Sequence, residues 1–334
     1  MENSSSPDRI AEMLTIYQRS AALKTAIEID LFTAVGSGSR TVTAIADACK
    51  VSRRGARILA NYMVILELLT KENGCYDLAP EAADYLDRRA RDYCGAAASF
   101  LASPILRSGF DRLTEAVRRG GTAIDDEGTT APESDVWVDF ARGMVPLMAS
   151  TADALAESVP ASRERPLRIL DVASGHGMFG ISFLQRHAQT EVFAVDWPAV
   201  LDIARGNARA SGVLDRFHGM PGNALEIDLG TGYDLALVAN LFHHFDPPTC
   251  VKLMKKIRCA LADGGRMLTV EYVPDESRVT PPRSAGFALV MLATTPFGDA
   301  YTFAEYRQML AEAGFTQNAL SDLADSAHQL IESR

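Results

Sequence analysis

The chain has few of the features that would set it apart from ordinary globular proteins. Its five cysteines, at positions 49, 75, 94, 250 and 259, are odd in number and nowhere adopt C-x-x-C spacing. That argues against a disulfide framework or a thiolate metal site, so free thiols in a reducing cytoplasm and no bound metal are expected. The longest apolar run, Ala285 to Ala293, is about half of what a membrane span requires. Residues 1–8 (MENSSSPD) contain neither a basic nor an apolar leader region, so no signal peptide is read there. There is no basic excess: 33 Lys and Arg stand against 43 Asp and Glu, a net charge of −10. This argues against general nucleic-acid binding and against an anionic membrane surface as partner. Low-complexity tracts are also missing. What remains is 334 residues, 47% hydrophobic and 23% charged, long enough for two domains that each bury a core.

The two halves of the chain are patterned differently. In residues 1–105, apolar positions at Leu14, Ile16, Ala21, Leu23, Ala26 and Ile27 predict one long helix from Ile10 to Val35. A short capped helix follows in TVTAIADACKVS (41–52), then a third over Arg53 to Leu69. Next, Asn73-Gly74 stands between two short strand candidates, which is a hairpin signal. Helix-turn-helix plus hairpin reads as a winged helix. Lys50, Arg53, Arg54 and Arg57 gather where such a domain would meet DNA. Residues 1–105, however, hold 12 basic and 13 acidic side chains, 12 − 13 = −1, without the positive excess that DNA binding exploits. A dimerisation role is favoured over DNA binding. Residues 106–160 read as connecting helices, interrupted by an exposed, turn-rich loop at 118–132. Trp137, Phe140, Met144, Leu147 and Met148 form a helical stripe that serves either as core or as the wall of an adaptable pocket.

From residue 161 onward strands and helices alternate. Strands are expected at 167–172, 191–195, near Phe217, at 233–240 and at 266–272. Helices are expected at 178–187, 198–210, 248–262 and 303–313. Such alternation predicts an α/β, Rossmann-like, doubly wound and mostly parallel sheet with its ligand beyond the strands' carboxyl ends. There the sequence places Asp171 and the Gly175/Gly177 turn, Asp196, Gly222-Asn223, and Asn240 through His243-His244. Strand, glycine turn, helix and a second strand-end acid form a nucleotide-binding unit, in which Asp196 can accept both ribose hydroxyls.

The segments LDVASGHG (170–177), VDWP (195–198), LFHHFD (241–246), ADGGRMLTVE (262–271) and the closing YTFAE…AGF (301–315) occur in a telling order. The chain resembles class I S-adenosylmethionine-dependent small-molecule O-methyltransferases with an N-terminal winged-helix dimerisation domain, of the caffeate and acetylserotonin type. The likeness spans nearly the whole sequence and implies a homodimer with S-adenosylmethionine as cofactor. By position, the resemblance implies that Gly175 and Gly177 shape the turn around the methionine part. Asp196 would take the ribose, Trp197 would lie along the adenine, and Asn223 would stand in for an aspartate near the adenine amino group. Ala173 and Ser174 replace glycines, a tolerable change if neither needs a positive φ.

His243 falls on the family's general base and Glu271 on a carboxylate that orients it. An imidazole suits the role, because a neutral phenol or enol must lose its proton to attack a methyl sulfonium, and histidine titrates near neutral pH. His244 is expected to point elsewhere. The family's second orienting glutamate is missing, with Asp299-Ala300-Tyr301 in its place, which leaves Asp299 as a substitute. Phe140, Met144, Met148, Phe242, Phe287, Met291, Pro296 and Phe297 are the expected pocket wall, fitting a flat hydrophobic hydroxylated metabolite. Two alternatives remain open: C- or N-methylation on the same fold, and a ligand-binding winged-helix regulator.

Overall fold

The computed structural model describes residues 7–160, 166–324 and 326–334. The reading of residues 1–6 as leaderless and the domain start expected at 161 lie outside the described residues. The chain divides into two compact units, Met1–Ala102 and Ser103–Arg334, and the expected connecting segment 106–160 falls within the second.

In the first unit the long helix expected at 10–35 is three pieces: α1 (Pro7–Thr15), α2 (Tyr17–Glu28) and α3 (Leu31–Gly36). The second break falls at Asp30, whose φ of 58° no helix can continue through. Then come α4 (Val42–Ala48) and α5 (Arg53–Ile65), N-capped by the hydroxyls of Thr41 and Ser52. The hairpin of β1 (Leu69–Glu72) and β2 (Cys75–Leu78) follows. Its two-residue tip, Asn73 and Gly74, has positive φ at both positions, as the twist of a tight hairpin demands. The helices α6 (Pro80–Tyr85) and α7 (Ala98–Leu101) complete the unit. Leu31, Phe32, Ile45, Met63, Leu69 and Tyr76 are its core. By contrast α1 buries nothing: Ile10, Met13 and Leu14 are each more than half exposed, as are Ile16 and Tyr17 just after it.

The second unit opens with α8 (Pro104–Asp111), α9 (Leu113–Arg119), α10 (Asp135–Gly143) and α11 (Val145–Ser158). After them run β3 (Arg168–Val172), α12 (Met178–Arg186), β4 (Glu191–Asp196), α13 (Pro198–Ala210), β5 (Phe217–Pro221) and β6 (Tyr233–Ala239). The chain finishes with α14 (Pro247–Ala260), β7 (Leu261–Glu271), α15 (Pro282–Thr294), α16 (Phe303–Glu312), β8 (Asn318–Asp322) and β9 (Gln329–Ser333). The sheet order is β5-β4-β3-β6-β7-β9-β8, with β3 to β7 mutually parallel and β9 antiparallel to both neighbours. The strand order reverses between β3 and β6, which opens a crevice beyond their carboxyl ends. Both faces of the sheet are covered. One core holds Leu170, Val238, Met254, Tyr306 and Phe315; the other holds Ile169, Phe183, Leu201 and Leu237.

The loop expected to be exposed at 118–132 is so only in part: residues 118–120, 125–127 and Pro132 are exposed, whereas Gly121, Thr122, Ala123, Gly128 and Thr129 are buried. The reason lies at the end of α15, whose last carbonyls have no partner within the helix. Thr122 Oγ1 donates to Ala293 O at 2.9 Å, Thr129 Oγ1 to Thr294 O at 3.1 Å, and the Thr122 amide to Thr295 O at 2.9 Å. Glycine lets the backbones approach this closely, since a Cβ on Gly121 would lie 2.2 Å from Pro296 O and one on Gly128 2.3 Å from Thr294 O.

Candidate active site

Two loops flank the crevice, and each holds a non-glycine residue in left-handed backbone: Ala173 after β3, φ 54°, and Asn240 after β6, φ 56°. The condition set for Ala173 therefore fails; the position does need a positive φ, and alanine carries the strain. Removing its Cβ relieves a cost of about 1–2 kcal/mol, partly offset by the extra freedom of glycine in the unfolded chain. Ala173→Gly should accordingly raise the melting temperature of the second unit by about 2 °C, which differential scanning calorimetry can read.

Past Ala173 the turn is held from the neighbouring strand. The Ser174 amide donates to Val195 O at 3.1 Å and the Gly175 amide to Asp196 Oδ2 at 2.8 Å. Asp196 Oδ1 accepts the Trp197 amide at 2.7 Å. Gly175 and Gly177 both have positive φ, and a Cβ on Gly177 would press on Ala204 at 3.1 Å. Gly180, which the sequence reading passed over, completes a G-x-G-x-x-G spacing. A Cβ there would lie 2.8 Å from Val192 Cγ1 and 3.0 Å from Asp171 Oδ2, so this glycine sets the approach of α12 to the sheet. Asp171 is buried and accepts the Gly180 amide at 3.2 Å. Burial pushes its carboxyl up to about 7, and burial likewise pushes Asp196 up to about 6. Ser174 Oγ is buried with no hydrogen-bond partner among the described residues. Trp197 is half-buried and N-caps α13. Asn223 uses its amide locally, accepting from the Leu225 amide at 3.0 Å and donating to Glu226 at 3.2 Å. One lone pair of its oxygen remains for an outside donor.

At the second loop a 3-10 turn, Phe242–His244, faces the end of β7. Glu271 is fully buried. Its Oε1 accepts the Leu241 and Phe242 amides, each at 2.9 Å, and its Oε2 meets His243 Nδ1 at 2.5 Å. The expectation for His244 is corrected: its ring turns toward His243, with Nε2 to Nε2 at 3.1 Å. Two adjacent residues can do this because the tight turn swings consecutive side chains to the same side. Asp299 does not join them. Its carboxylate pairs with Arg278 at 3.0 Å, and only its backbone amide reaches the pair, donating to His243 O at 3.0 Å. Gly298 lies flat against the two histidines, where a Cβ would stand 2.3 Å from His243 O.

The expected pocket wall divides. Phe140 stacks on His176 with centroids 5.6 Å apart, and its Cε1 lies 3.0 Å from where a Gly175 Cβ would be. Met144 and Met148 are buried, and the Met148 sulfur is 4.0 Å from Asn240 Nδ2. Phe287 meets His243 edge-on at 4.8 Å, and Met291 is buried farther along α15. Phe242 is corrected: it is fully buried in the core facing Tyr306, with centroids 6.5 Å apart. Phe297 is 72% exposed and Leu147 also faces outward, so neither lies in a closed wall. Sequence reasoning missed Trp137 as a neighbour of His244, edge-on at 5.0 Å, although its stripe included it. It also missed buried His176, which burial lowers to about 4, and the Tyr272–His328 stack at 4.1 Å beside Phe287.

A parallel sheet with a glycine turn and strand-end acid on one side of its switch point, and a carboxylate-held histidine on the other, makes up the candidate site. Residues 129–316 match the family described as the O-methyltransferase domain, and residues 11–88 the O-methyltransferase dimerisation domain. The chain belongs to this O-methyltransferase family. It is similar to the crystal structure of a candidate O-methyltransferase from Nostoc punctiforme PCC 73102, with 45% identity, a TM-score of 0.93 and 99% of each chain covered. The 3-hydroxy-5-methyl-1-naphthoate 3-O-methyltransferase of Streptomyces sahachiroi is 29% identical over 93% of this chain and 90% of its own length. Human N-acetylserotonin methyltransferase, solved in complex with SAM, shares the fold at a TM-score of 0.84 with 19% identity, covering 100% of this chain and 99% of the other. Among the described residues no helix is long and apolar enough to cross a membrane.

Proposed function

We propose that this protein is a homodimeric S-adenosylmethionine-dependent O-methyltransferase that methylates a hydroxyl of a small, flat aromatic or polyketide-like metabolite. The observation that carries this reading is the Glu271–His243 pair, buried beside the crevice that the glycine turn and Asp196 flank. The residues fit the cofactor. A ribose diol offers two donors to a carboxylate that is partly removed from water, and the unpartnered Ser174 hydroxyl waits for a polar group in the same turn. Gly175, Gly177 and Asp171 would shape and hold the methionine side of the turn, with Asp196 on the ribose, Trp197 and Asn223 toward the adenine, and Asn240 nearby. When bound, S-adenosylmethionine supplies an electrophilic methyl group.

The protein's own residues do the rest. Glu271 fixes the His243 ring, leaving its far nitrogen basic, and the proton that the acceptor's hydroxyl gives up comes to rest on His243 as attack begins. Base catalysis of this kind contributes about 10²–10⁴ in rate. Phe140, Met144, Met148, Phe287 and Trp137 keep water away, which favours a step in which opposite charges cancel. The naphthoate acted on by the Streptomyces sahachiroi relative is the kind of acceptor such a wall suits. The test is a methylation screen over hydroxynaphthoates and hydroxybenzoates with S-adenosylhomocysteine release as readout. Turnover of at least one at the hydroxyl is expected, while cofactor binding with methyl transfer only to carbon or nitrogen would overturn the assignment.

The dimer reading is supported by the dimerisation-domain match over residues 11–88 and by the bare apolar stripe of α1. Light scattering should give about twice the monomer mass. Charging the stripe with Met13→Glu and Leu14→Glu should halve that mass.

A further inference from the structure

Hydrogen bonding around Glu271 dictates where the protons sit, and this points past His243. Two backbone amides donate to Glu271 Oε1, and Oε2 lies 2.5 Å from His243 Nδ1; with the carboxylate ionised, it accepts there and His243 carries its proton on Nδ1. The Nε2 of neutral His243 is then a bare lone pair. His244 Nε2, 3.1 Å away, must donate to it, since two lone pairs would repel at that distance. That leaves the remaining ring nitrogen of His244, Nδ1, without a proton. It is buried and has no hydrogen-bond partner among the described residues. A buried acceptor left unmade is destabilising, and a hydroxyl donor arriving in the site would satisfy it. His243, by contrast, has both nitrogens in use.

We propose that the acceptor's hydroxyl is bound by His244 Nδ1, and that His244 passes its proton to His243 in a Glu271–His243–His244 relay. This rests on the functional reading above and refines it. The acceptor O–H bond breaks, its proton joins His244 Nδ1, and the proton on His244 Nε2 moves to His243 Nε2. The positive charge comes to rest on His243 beside the Glu271 carboxylate, while the oxygen keeps the electron pair that forms the new bond to carbon. Burial and the neighbouring His243 hold His244 well below the usual histidine range, so it cannot keep the proton alone and serves as conduit. Trp137 packs edge-on against His244 with centroids 5.0 Å apart, an aromatic neighbour that suits a flat acceptor. The backbone contacts of Gly298 and the Asp299 amide keep the pair in register.

The direct test is nitrogen NMR of the wild-type protein labelled with 15N-histidine, with S-adenosylhomocysteine bound and signals assigned through His243→Asn and His244→Asn. A protonated Nε2 and bare Nδ1 on His244 are expected. A protonated Nδ1 on His244 would overturn the proposal. This readout needs no acceptor, so its failure is distinct from failure of the methyltransferase reading. The kinetic test uses His244→Phe, with unchanged S-adenosylhomocysteine affinity as proof of an intact fold. On a weakly acidic phenol kcat should fall by about 10²-fold or more. On a nitro-substituted analogue, already ionised at assay pH, the loss should largely disappear. Equal losses on both would mark His244 as merely structural and sink the relay.

Discussion

Asp196→Ala should lose S-adenosylhomocysteine binding by about 10²–10⁴-fold in calorimetric titration. The carboxylate stands to accept two hydroxyl donors, and hydrogen bonds to a charged group contribute about 1.5–3 kcal/mol each, while every 1.4 kcal/mol is a factor of ten. The substitution also releases the Gly175 and Trp197 amides that the two oxygens hold in the ligand-free turn, so part of the loss is a loosened turn. A variant binding within threefold of wild type would remove Asp196 from the cofactor site. A pH signature accompanies this. Burial holds Asp196 up to about 6, and only the ionised form accepts both hydroxyls, so affinity should weaken as pH falls through about 6. Stability runs the other way. Asp171 and Asp196 bind protons more tightly folded than unfolded, so the second unit is helped at acid pH and loses that help as pH rises from about 4 to about 7.

Glu271→Ala should damage both catalysis and the fold. The side chain is fully buried and holds the Leu241 and Phe242 amides and His243 Nδ1. Each donor stranded in the interior costs about 1–3 kcal/mol, so the melting temperature of the second unit should fall by roughly 10 °C or more. Losing the ring's anchor should lower kcat by about 10²–10⁴. Glu271→Gln separates the two effects. The amide fills the same space and spares most of the stability, yet an NH₂ group facing His243 Nδ1 demands the opposite tautomer. Activity should therefore remain as low as in Glu271→Ala. A Glu271→Gln protein with near-normal kcat would show that the carboxylate's charge is irrelevant.

The residues that could be read from the sequence are those whose chemistry depends on strand position. A parallel sheet buried on both faces writes itself as apolar runs, and the polar residues at or near the ends of those runs, Asp171, Asp196, Asn240 and His243, stand out against them. Features fixed by backbone torsion or distant partners were not legible. Nothing local says that Ala173 takes a left-handed φ, since alanine gains nothing by it. The direction of His244 depends on a one-turn 3-10 segment, and a two-residue step in either sense would fit the same letters. The strands β8 and β9 were missed because Asn318–Asp322 and Gln329–Ser333 are short and half polar; pairing of β9 with β7, and of β8 with β9, makes them strands. Phe242 was assigned to the pocket by composition, whereas the turn sends it inward to Tyr306 while its neighbour faces the site.

The threonine lacing between residues 121–129 and the end of α15 bears on how this enzyme could acquire new acceptors. Three donors meet three successive carbonyls, at 293, 294 and 295, with glycines pressed so close that no side chain fits between. A residue inserted between Thr122 and Thr129 would put the two ends of the lacing out of step with each other and with the carbonyls. Substitutions at Phe140 or Phe287 leave the lacing untouched, whereas Trp137 donates its indole N–H to Thr129 O at 3.0 Å and is tied to it. Evolution of specificity here should therefore proceed by exchanging side chains along a wall of fixed length, and lineages that changed the loop's length would have had to rebuild the end of the helix as well.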